Sequence, residues 1–535
     1  MNRPLRIYDT TLRDGTQGLA VNFTSEDKVA IALRLDAFGV DVIEGGWPGS
    51  NPKDIHFFER MKGVPLLHAR LAAFGSTRRR GVDPEDDENL KALLAVATPV
   101  VTIFGKAWTL HVTQALGVGL DENLAMIEQS VAFLKANGRE VIYDAEHFFD
   151  GYKADPEYAL ETVAAAERGG ADTLVLCDTN GGTLPAGIAG LVKRVREGSS
   201  LPIGIHAHND SELAVANTLA AVEAGAEHVQ GTINGYGERC GNANLISVLP
   251  NLTLKLGRAQ PQLLGSLREL SRFVDERANL QPNVRAPFVG DAAFAHKGGV
   301  HVSAVNKRPE TYEHIDPQLV GNDRRVLLSE LSGRANILAK AEEYGEHLEV
   351  RDRSTRDVVS RLKELENRGY AFEGAEASFQ LLSRKVRGDY RPYFTLHGFS
   401  VLMDKREGES EPRCEAVLKL EVGGVLEHTA AEGQGPVNAL DRALTKALSR
   451  FYPAVDELRL VDYKVRVLDG PETGTAAVVR VQLETTDGRE SWGTVGASFD
   501  IINASYEALL DAIEYKLLRD GTAPLEPLGL VEGVA

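Results

Sequence analysis

Cysteine is scarce in this chain of 535 residues. The three cysteines, Cys177, Cys240 and Cys414, are odd in number and lie far apart. They neither build a disulfide framework nor have the CxxC spacing of a metal site. We therefore expect a protein of the reducing cytoplasm.

Long hydrophobic runs are also missing. No stretch of about 18 consecutive apolar residues occurs, although a membrane-spanning helix needs that length. The first residues, MNRPLRIYDTTLRDG, turn polar too soon for the hydrophobic core of a secretory signal. The expectation is a protein that neither crosses a membrane nor carries an N-terminal address.

Positive charge is in deficit. The chain has 59 Lys and Arg against 77 Asp and Glu, a formal net charge of -18. Nucleic acids and anionic membranes are bound by basic surfaces, so this balance argues against both as partners. Any anionic small molecule must be met by local cations.

Eight short β-rich segments recur in the first half of the chain, and most are separated by segments with helical periodicity. One helical segment, TSEDKVAIALRLDAFG, has a capping box at Thr24 and Asp27 and a terminal Gly39. The alternation predicts parallel pairing, and eight units in about 250 residues predict a closed (β/α)₈ TIM barrel. An open doubly wound sheet is the alternative. The β-rich segments are LRIYD, DVIEGG, LHARLAAFG, VVTIFG, EVIYDAEH, TLVLCDTN, IGIHAHND and HVQGTINGYG.

Two further parts follow a barrel of residues 1–256. Residues 257–375 are expected to form a helical linker region, with STRDVVSRLKELENRGY as a clear amphipathic helix. Residues 376–535 contain an internal repeat, in which two strands and a Gly-rich bend precede a helix near Asn438-Ala439 and again near Asn503-Ala504. We expect these ββα-type units to pack into an α+β domain separate from the barrel.

Polar residues cluster at the ends of the predicted strands, where barrel enzymes place their active sites. In GIHAHND, His206 and His208 lie two positions apart in one strand, so both side chains face the barrel mouth. Two close imidazoles are stable as neutral ligands of a shared cation, and Asp14 and Asn242 are available at other strand ends. The alternative is a histidine pair satisfied by neighbouring backbone.

These ligand types leave the metal open among Zn²⁺, Mn²⁺, Mg²⁺ and Fe²⁺, and an Fe²⁺ oxygenase is one interpretation. Arg13 beside Asp14 indicates another, because an arginine next to a Lewis-acidic ion suits a small anion with an adjacent carbonyl, such as a 2-oxo acid. The arginine would offset charge that develops on the ketone oxygen. The alternative for Arg13 is a structural salt bridge to a barrel carboxylate.

The chain contains the five segments DTTLRDGTQ at 9–17, GIHAHND at 204–210, GYGERCGN at 235–242, AFAHKGGVH at 293–301 and GQGPVNALDRAL at 433–444. Together they resemble the 2-isopropylmalate synthase and citramalate synthase family of metal-dependent TIM-barrel acyltransferases. The resemblance covers nearly the whole chain. Two further segments, EGGWPGSNPKD at 44–54 and DAEHFFDGY at 144–152, are similar to the citramalate synthase branch.

The resemblance implies an aldol-Claisen condensation of acetyl-CoA with a 2-oxo acid, followed by thioester hydrolysis. Pyruvate is the first expectation for the oxo acid, which gives (R)-citramalate for isoleucine biosynthesis. The alternative is 2-oxoisovalerate, the substrate of a 2-isopropylmalate synthase in leucine biosynthesis. A barrel lyase that cleaves a 3-hydroxyacyl-CoA and a metal-binding amino-acid sensor with a degenerate site are the other competing functions.

The resemblance also implies roles for residues of the barrel. Asp14, His206 and His208 would hold a divalent metal (Mn, Mg or Zn), with Asn242 as a nearby or fourth ligand. Arg13 would stabilise the ketone oxygen as it becomes an alkoxide.

Further implied roles concern the reacting groups and the partner subunit. Glu146 matches the family's catalytic glutamate, and Thr179 matches a residue that contacts the substrate carboxylate. His301 and Tyr312 would come from the second subunit of a homodimer for acid-base work, although the composition of 293–301 alone reads as an ordinary loop. The run from Tyr143 to Glu146 departs from the Ser-Pro-Glu-Asp type of many relatives, which alters the pocket floor.

The C-terminal repeat resembles the family's regulatory domain, in which an end-product amino acid binds at the dimer interface. Isoleucine is the expected effector.

Overall fold

The computed structural model describes residues 4–258, 261–326, 353–407, 411–468 and 476–526. The chain divides into two compact units, of which the first comprises Met1–Phe294 with Ile315–Arg324 and the second comprises Ala295–His314 with Arg325–Ala535. Among the described residues, no helix combines the length and apolar character needed to cross a bilayer.

The first unit contains a closed barrel of eight parallel strands in sequence order, completed by the pairing of the first strand with the eighth. This confirms the predicted TIM barrel over the open sheet, and each strand overlaps one of the eight predicted segments. The strands are β1 Arg6–Asp9, β2 Val42–Gly46, β3 Arg70–Ser76, β4 Val100–Lys106, β5 Glu140–Glu146, β6 Thr173–Asp178, β7 Ile203–Ala207 and β8 His228–Gly231.

Helices surround the barrel, and the first shows how the sequence sets their ends. Thr24 and Asp27 form the predicted reciprocal capping box, and Gly39 ends the helix in the left-handed region at φ 90°. The helices are α1 Ser25–Phe38, α2 Pro52–Met61, α3 Glu88–Ala95, α4 Leu120–Ala136, α5 Phe148–Ala154, α6 Pro156–Arg168, α7 Pro185–Gly198, α8 Ala214–Glu223, α9 Leu245–Pro250 and α10 Leu267–Arg277.

The barrel interior changes character along the strands. Its N-terminal half is mostly apolar, whereas the next inward-facing layer contains Glu44, Thr102, Asp144 and Gln230, all buried. Buried polar groups need partners, and these polar side chains bond to one another or to neighbouring side chains across the interior. The apolar layer consists of Tyr8, Val42, Ala72, Val100, Ile142 and Val175, and the same cluster extends to Cys177, which lies two positions further along β6.

The region between barrel and repeat is only partly helical. It contains a two-stranded parallel sheet of β9 Ala295–His296 and β10 Arg325–Val326, and the helices α11 Gly299–Lys307, α12 Arg353–Asn367 and α13 Glu376–Arg387. The predicted amphipathic helix coincides with α12. Residues 327–352 of the predicted linker lie outside the described residues, and the division at 256 and 375 stays a prediction.

The second unit contains two successive repeats, each with three antiparallel strands followed by a helix. The predicted order of strand, strand and helix is confirmed, but each repeat begins with an additional strand. That first strand is largely exposed, so it lacks the apolar alternation that marks a half-buried strand. The elements are β11 Thr395–Asp404, β12 Arg413–Val422, β13 Val425–Gly433, α14 Pro436–Leu448, β14 Arg459–Val467, β15 Val479–Thr486, β16 Ser491–Ser498 and α15 Ile501–Arg519.

Candidate active site

The C-terminal end of the barrel contains a cavity of about 200 Å³. Six residues predicted from the sequence line it, namely Arg13, Asp14, Glu146, Thr179, His206 and His208. The cavity therefore brings together side chains from four strand ends, those of β1, β5, β6 and β7, that are far apart in the sequence. The other lining residues are Gln17, Trp47, Phe74, Phe104, Asp144, Cys177, Glu238 and Arg239.

Asp14, His206 and His208 form a buried cluster in which one ligand atom of each residue lies within 4.8 Å of the others. His206 Nε2 lies 3.2 Å from His208 Nε2 and 3.3 Å from Asp14 Oδ2. Burial, with His206 beside it, lowers the pKa of His208 to about 3, so this imidazole is neutral at pH 7. Although burial opposes ionisation of Asp14, Arg13 and His206 hold the pKa of that carboxyl well below its usual range. One carboxylate and two imidazoles this close together fit a divalent cation.

Asn242 is placed beside the histidines by the backbone, because it forms an isolated antiparallel bridge with His208. Its Nδ2 donates to the carbonyl of Tyr236 at 3.1 Å. Its Oδ1 is buried and has no hydrogen-bond partner in the described part of the chain. An orphaned amide oxygen is a hard ligand that a divalent cation would satisfy, so the donor set fits the predicted metal.

Arg13 lies between two carboxylates and an aromatic ring. Its Nε donates to Glu44 Oε1 at 2.6 Å, its Nη1 lies 3.5 Å from Asp14 Oδ1, and its guanidinium carbon lies 3.6 Å from the ring centre of Phe74. Burial opposes the charge, but Glu44 and Asp14 raise the pKa of Arg13 above its usual value. The structure thus contains the barrel salt bridge considered from the sequence, and the same side chain also lines the cavity.

Glu146 ends β5 and forms an ion pair with Lys106, which ends β4. The next residue, His147, has a left-handed backbone with φ 55° and ψ 34°, and its N–H donates to Thr179 Oγ1 at 2.9 Å. A hydroxyl that accepts one hydrogen bond keeps its own proton to donate. Thr179 can therefore donate to a carboxylate bound in the cavity.

His301 and Tyr312 belong to the second unit rather than to the barrel unit. Their rings stack at a centroid distance of 4.1 Å and an angle of 26°. His301 is exposed on α11, and Tyr312 is 46% exposed. Their role in catalysis stays a prediction.

An aromatic wall of the cavity was not predicted from the sequence. The rings of Trp47, Phe74 and Phe104 lie 5.6 to 5.8 Å apart in mutual contact. The Trp47 Nε1 donates to Asn89 Oδ1 at 2.7 Å, which fixes the indole. The signal in the sequence is position, because all three aromatic residues lie at or just after the C-terminal ends of predicted strands.

A polar layer beneath the histidines was also missed. Asp144 on β5 and Gln230 on β8 are buried and joined by a hydrogen bond of 3.0 Å. Burial raises the pKa of Asp144 to about 7. The sequence offered only alternation as a signal, since both residues occupy inward-facing positions of their strands.

Three family models match consecutive parts of the chain. Residues 4–274 match the model described as HMGL-like. Residues 288–370 match a homocitrate synthase post-HMGL domain-like model, and residues 373–517 match the LeuA allosteric (dimerisation) domain.

Full-length relatives define the family further. An (R)-citramalate synthase of Geobacter sulfurreducens is 56% identical over 96% of this chain and 97% of the relative. An (R)-citramalate synthase of Aquifex aeolicus is 53% identical over 97% of this chain and 99% of the relative. A probable 2-isopropylmalate synthase of Methanopyrus kandleri is 33% identical over 95% and 97%. The chain therefore belongs to the citramalate synthase and 2-isopropylmalate synthase family of HMGL-like acyltransferases.

Proposed function

We propose that this enzyme acts as an (R)-citramalate synthase, which condenses acetyl-CoA with pyruvate, hydrolyses the thioester and releases CoA. The observation that carries the proposal is the convergence of Arg13, Asp14, His206 and His208 on one small cavity. The sequence relatives support the same activity, since citramalate synthases reach 56% and 53% identity against 33% for a probable 2-isopropylmalate synthase.

The aromatic wall supports pyruvate over 2-oxoisovalerate. Trp47, Phe74 and Phe104 fill one side of the cavity, and the Arg13 guanidinium packs on Phe74. An oxo acid whose ketone lies near Arg13 and Asp14 has its side chain beside these rings. A methyl group fits such a restricted space more easily than an isopropyl group, because a packed apolar wall discriminates by excluding bulk.

Two other functions are less well supported. A lyase on the same barrel has little need for the C-terminal repeat, which matches an allosteric domain model over residues 373–517. A metal-binding sensor has no use for Arg13 and Glu146 in the same cavity. Both groups are instead explained by a reaction that creates negative charge and moves protons.

The residues of the barrel bind and orient the oxo acid in this proposal. Asp14, His206, His208 and Asn242 hold a divalent cation, and Mn²⁺, Mg²⁺ and Zn²⁺ remain candidates. When bound, this ion supplies Lewis acidity at the ketone oxygen of the oxo acid.

Two barrel residues contact the substrate directly in the same proposal. Arg13 offsets the negative charge that develops on the ketone oxygen. Thr179 donates its hydroxyl proton to the substrate carboxylate.

Acid-base groups complete the reaction. The methyl protons of a thioester are too weakly acidic for a solitary base, so both a placed base and electrostatic help are needed. We assign Glu146 to this work, with His301 and Tyr312 of the partner subunit. The methyl carbon loses a proton and bonds to the ketone carbon, whose oxygen is then protonated. Water next adds to the thioester carbonyl, the carbon-sulfur bond breaks, and CoA leaves as the thiol.

A homodimer with shared active sites is part of the proposal. Strand β14 exposes Leu460, Val461, Val465 and Val467, and contiguous exposed apolar side chains mark association surfaces. The match of residues 373–517 to an allosteric (dimerisation) domain supports self-association and a small-molecule effector, for which we propose isoleucine. We also propose a cytoplasmic location, which the free thiols of all three cysteines favour.

The decisive experiment measures CoA release by the full-length protein with acetyl-CoA and a divalent metal. Pyruvate, 2-oxobutyrate and 2-oxoisovalerate are compared, and we expect the highest kcat/KM with pyruvate and an (R)-citramalate product. Faster turnover of 2-oxoisovalerate would indicate a 2-isopropylmalate synthase. Cleavage of a 3-hydroxyacyl-CoA without condensation would indicate the lyase, and amino-acid binding without turnover would indicate the sensor.

A further inference from the structure

The imidazole of His206 is held on the side that faces away from the proposed metal ligands. Its Nδ1 lies 2.9 Å from Gln230 Oε1. Gln230 is fully buried on β8, and its Nε2 donates to Asp144 Oδ1 at 3.0 Å. Three adjacent or facing strands of the barrel thus form a chain of side-chain hydrogen bonds that ends at His206.

The chemistry of these groups fixes the direction of each hydrogen bond. An amide NH₂ only donates, and that of Gln230 faces Asp144 Oδ1. The amide oxygen must then face His206, and because a carbonyl only accepts, the proton of the imidazole lies on Nδ1. A histidine that ligates a metal is neutral, so with its proton on Nδ1 the lone pair of His206 is on Nε2, the atom that lies 3.3 Å from Asp14 Oδ2.

The second histidine of the cluster has no such support. His208 Nδ1 is buried and has no hydrogen-bond partner among the residues that the structure describes. The two imidazoles therefore differ: the tautomer of His206 is set by neighbouring side chains, whereas that of His208 is not. This contrast shows that the bonds of Gln230 are a specific feature of one ligand position rather than a general property of the site.

We propose that Gln230 is a positioning residue for the metal centre, which holds His206 in the tautomer whose Nε2 faces the cation, and that Asp144 orients the Gln230 amide. The inference rests on the proposed function, because it takes His206 as a ligand. Residues that fix the tautomer and ring orientation of ligating histidines change metal affinity by about 10- to 100-fold. Gln230 therefore acts on metal binding without touching the substrate.

The test is the Mn²⁺ dissociation constant of the full-length protein, measured by calorimetric titration and by the electron paramagnetic resonance signal of free Mn²⁺. Gln230→Leu removes the acceptor and should weaken binding by about 10- to 100-fold. The double variant Asp144→Asn/Gln230→Glu exchanges amide and carboxylate but still presents an acceptor to His206. It should bind within a few-fold of the wild type.

Thr102→Val provides the matched control, because Thr102 lies in the same buried polar layer but bonds to Tyr8 instead. It should leave Mn²⁺ affinity unchanged. Wild-type affinity in Gln230→Leu would overturn the inference and leave the proposed function standing, whereas wild-type protein that binds none of Mn²⁺, Mg²⁺ and Zn²⁺ would overturn both. If Gln230→Leu does not fold, the double variant decides alone, and its loss of affinity would overturn the inference.

Discussion

The Arg13 Nε lies 2.6 Å from Glu44 Oε1 in an ion pair that joins the loop after β1 to the buried Glu44 of β2. Removal of the arginine would leave the Glu44 carboxylate buried without its partner. Such an unpaired charge costs about 3 to 5 kcal/mol, which is comparable to much of a domain's stability. The pair thus links the stability of the barrel to the group that is proposed to stabilise charge on the substrate.

Substitution of both members of this pair separates stability from chemistry. Arg13→Ala should lower the free energy of unfolding by a few kcal/mol, and Arg13→Ala/Glu44→Gln should recover most of that loss, because the buried charge is gone. Both variants should release CoA about 10²- to 10³-fold more slowly than the wild type. Urea unfolding and a thiol assay measure the two effects. Normal turnover in the double variant would contradict the role of Arg13, and equal stabilities would contradict the buried-charge argument.

A shared active site predicts complementation between inactive subunits. Arg13→Ala removes a barrel group, and His301→Ala removes a group of the second unit. In a mixed dimer, one of the two sites combines an intact barrel with an intact His301 from the partner. Random exchange should therefore restore roughly a quarter of the wild-type sites. Mass spectrometry verifies that the subunits have exchanged. If CoA release does not recover after verified exchange, each subunit works alone.

Trp47 should limit the size of the oxo acid. Its backbone N–H donates to Asp54 Oδ2 at 2.9 Å, and Asp54 forms a buried ion pair with Lys28, so the indole sits on a rigid loop. We expect Trp47→Leu to raise kcat/KM for 2-oxoisovalerate relative to pyruvate by about 10- to 200-fold.

The control for this substitution is Trp108→Leu. Trp108 stacks on His111 and does not line the cavity, so its loss should leave the preference for the oxo acid unchanged. If Trp47→Leu keeps the wild-type preference for pyruvate over 2-oxoisovalerate, other residues select the oxo acid. An equal change of substrate preference in both variants would indicate that either substitution loosens the packing around the cavity in general.

The barrel and the pairing of His206 with His208 could be predicted from the sequence because both depend on local patterns. Eight β-rich segments predict eight strands, and the spacing of His206 and His208 makes them share a face. The two largely exposed strands, β11 and β14, were not predicted, because only a strand with one buried face shows a recognisable alternation of apolar and polar residues.

The missed contacts of the site share a different cause. Gln230 meets His206 and Asp144 only when strands β5, β7 and β8 are brought together in the closed barrel. The contact of Lys28 was missed for the same reason. A lysine near the start of a surface helix is expected to be solvated, yet Lys28 is only 2% exposed and forms an ion pair with Asp54. Side chains that meet only in the folded barrel have no regular spacing in the sequence, so no sequence pattern predicts their contacts.

His147 should matter through its backbone rather than its imidazole. Its φ of 55° is unfavourable for most side chains but not for glycine, and its N–H fixes Thr179. We expect His147→Gly to keep the wild-type KM for pyruvate, whereas the β-branched His147→Val should raise KM, since strain of about 1 to 3 kcal/mol displaces the turn. Steady-state kinetics compare the two. A His147→Gly variant as impaired as His147→Val would show that the side chain is required.

His228 should make the barrel sensitive to acid. It is 1% exposed, both ring nitrogens lack partners among the described residues, and burial lowers its pKa to about 3. The unfolded chain binds a proton at this histidine below a pKa of about 6.5, so only the unfolded state gains that proton as the pH falls from about 6.5 toward 3. Stability that is present above pH 6.5 is thus lost on acidification.

Relative to His228→Leu, which cannot titrate, the wild type should lose about 1.4 kcal/mol more per pH unit between about pH 6 and 4. Urea unfolding of both proteins across this pH range gives the difference between their free energies of unfolding. The contributions of the other titrating groups cancel in that difference. Parallel stability curves would mean that His228 is protonated equally in the folded and unfolded states, contrary to its burial.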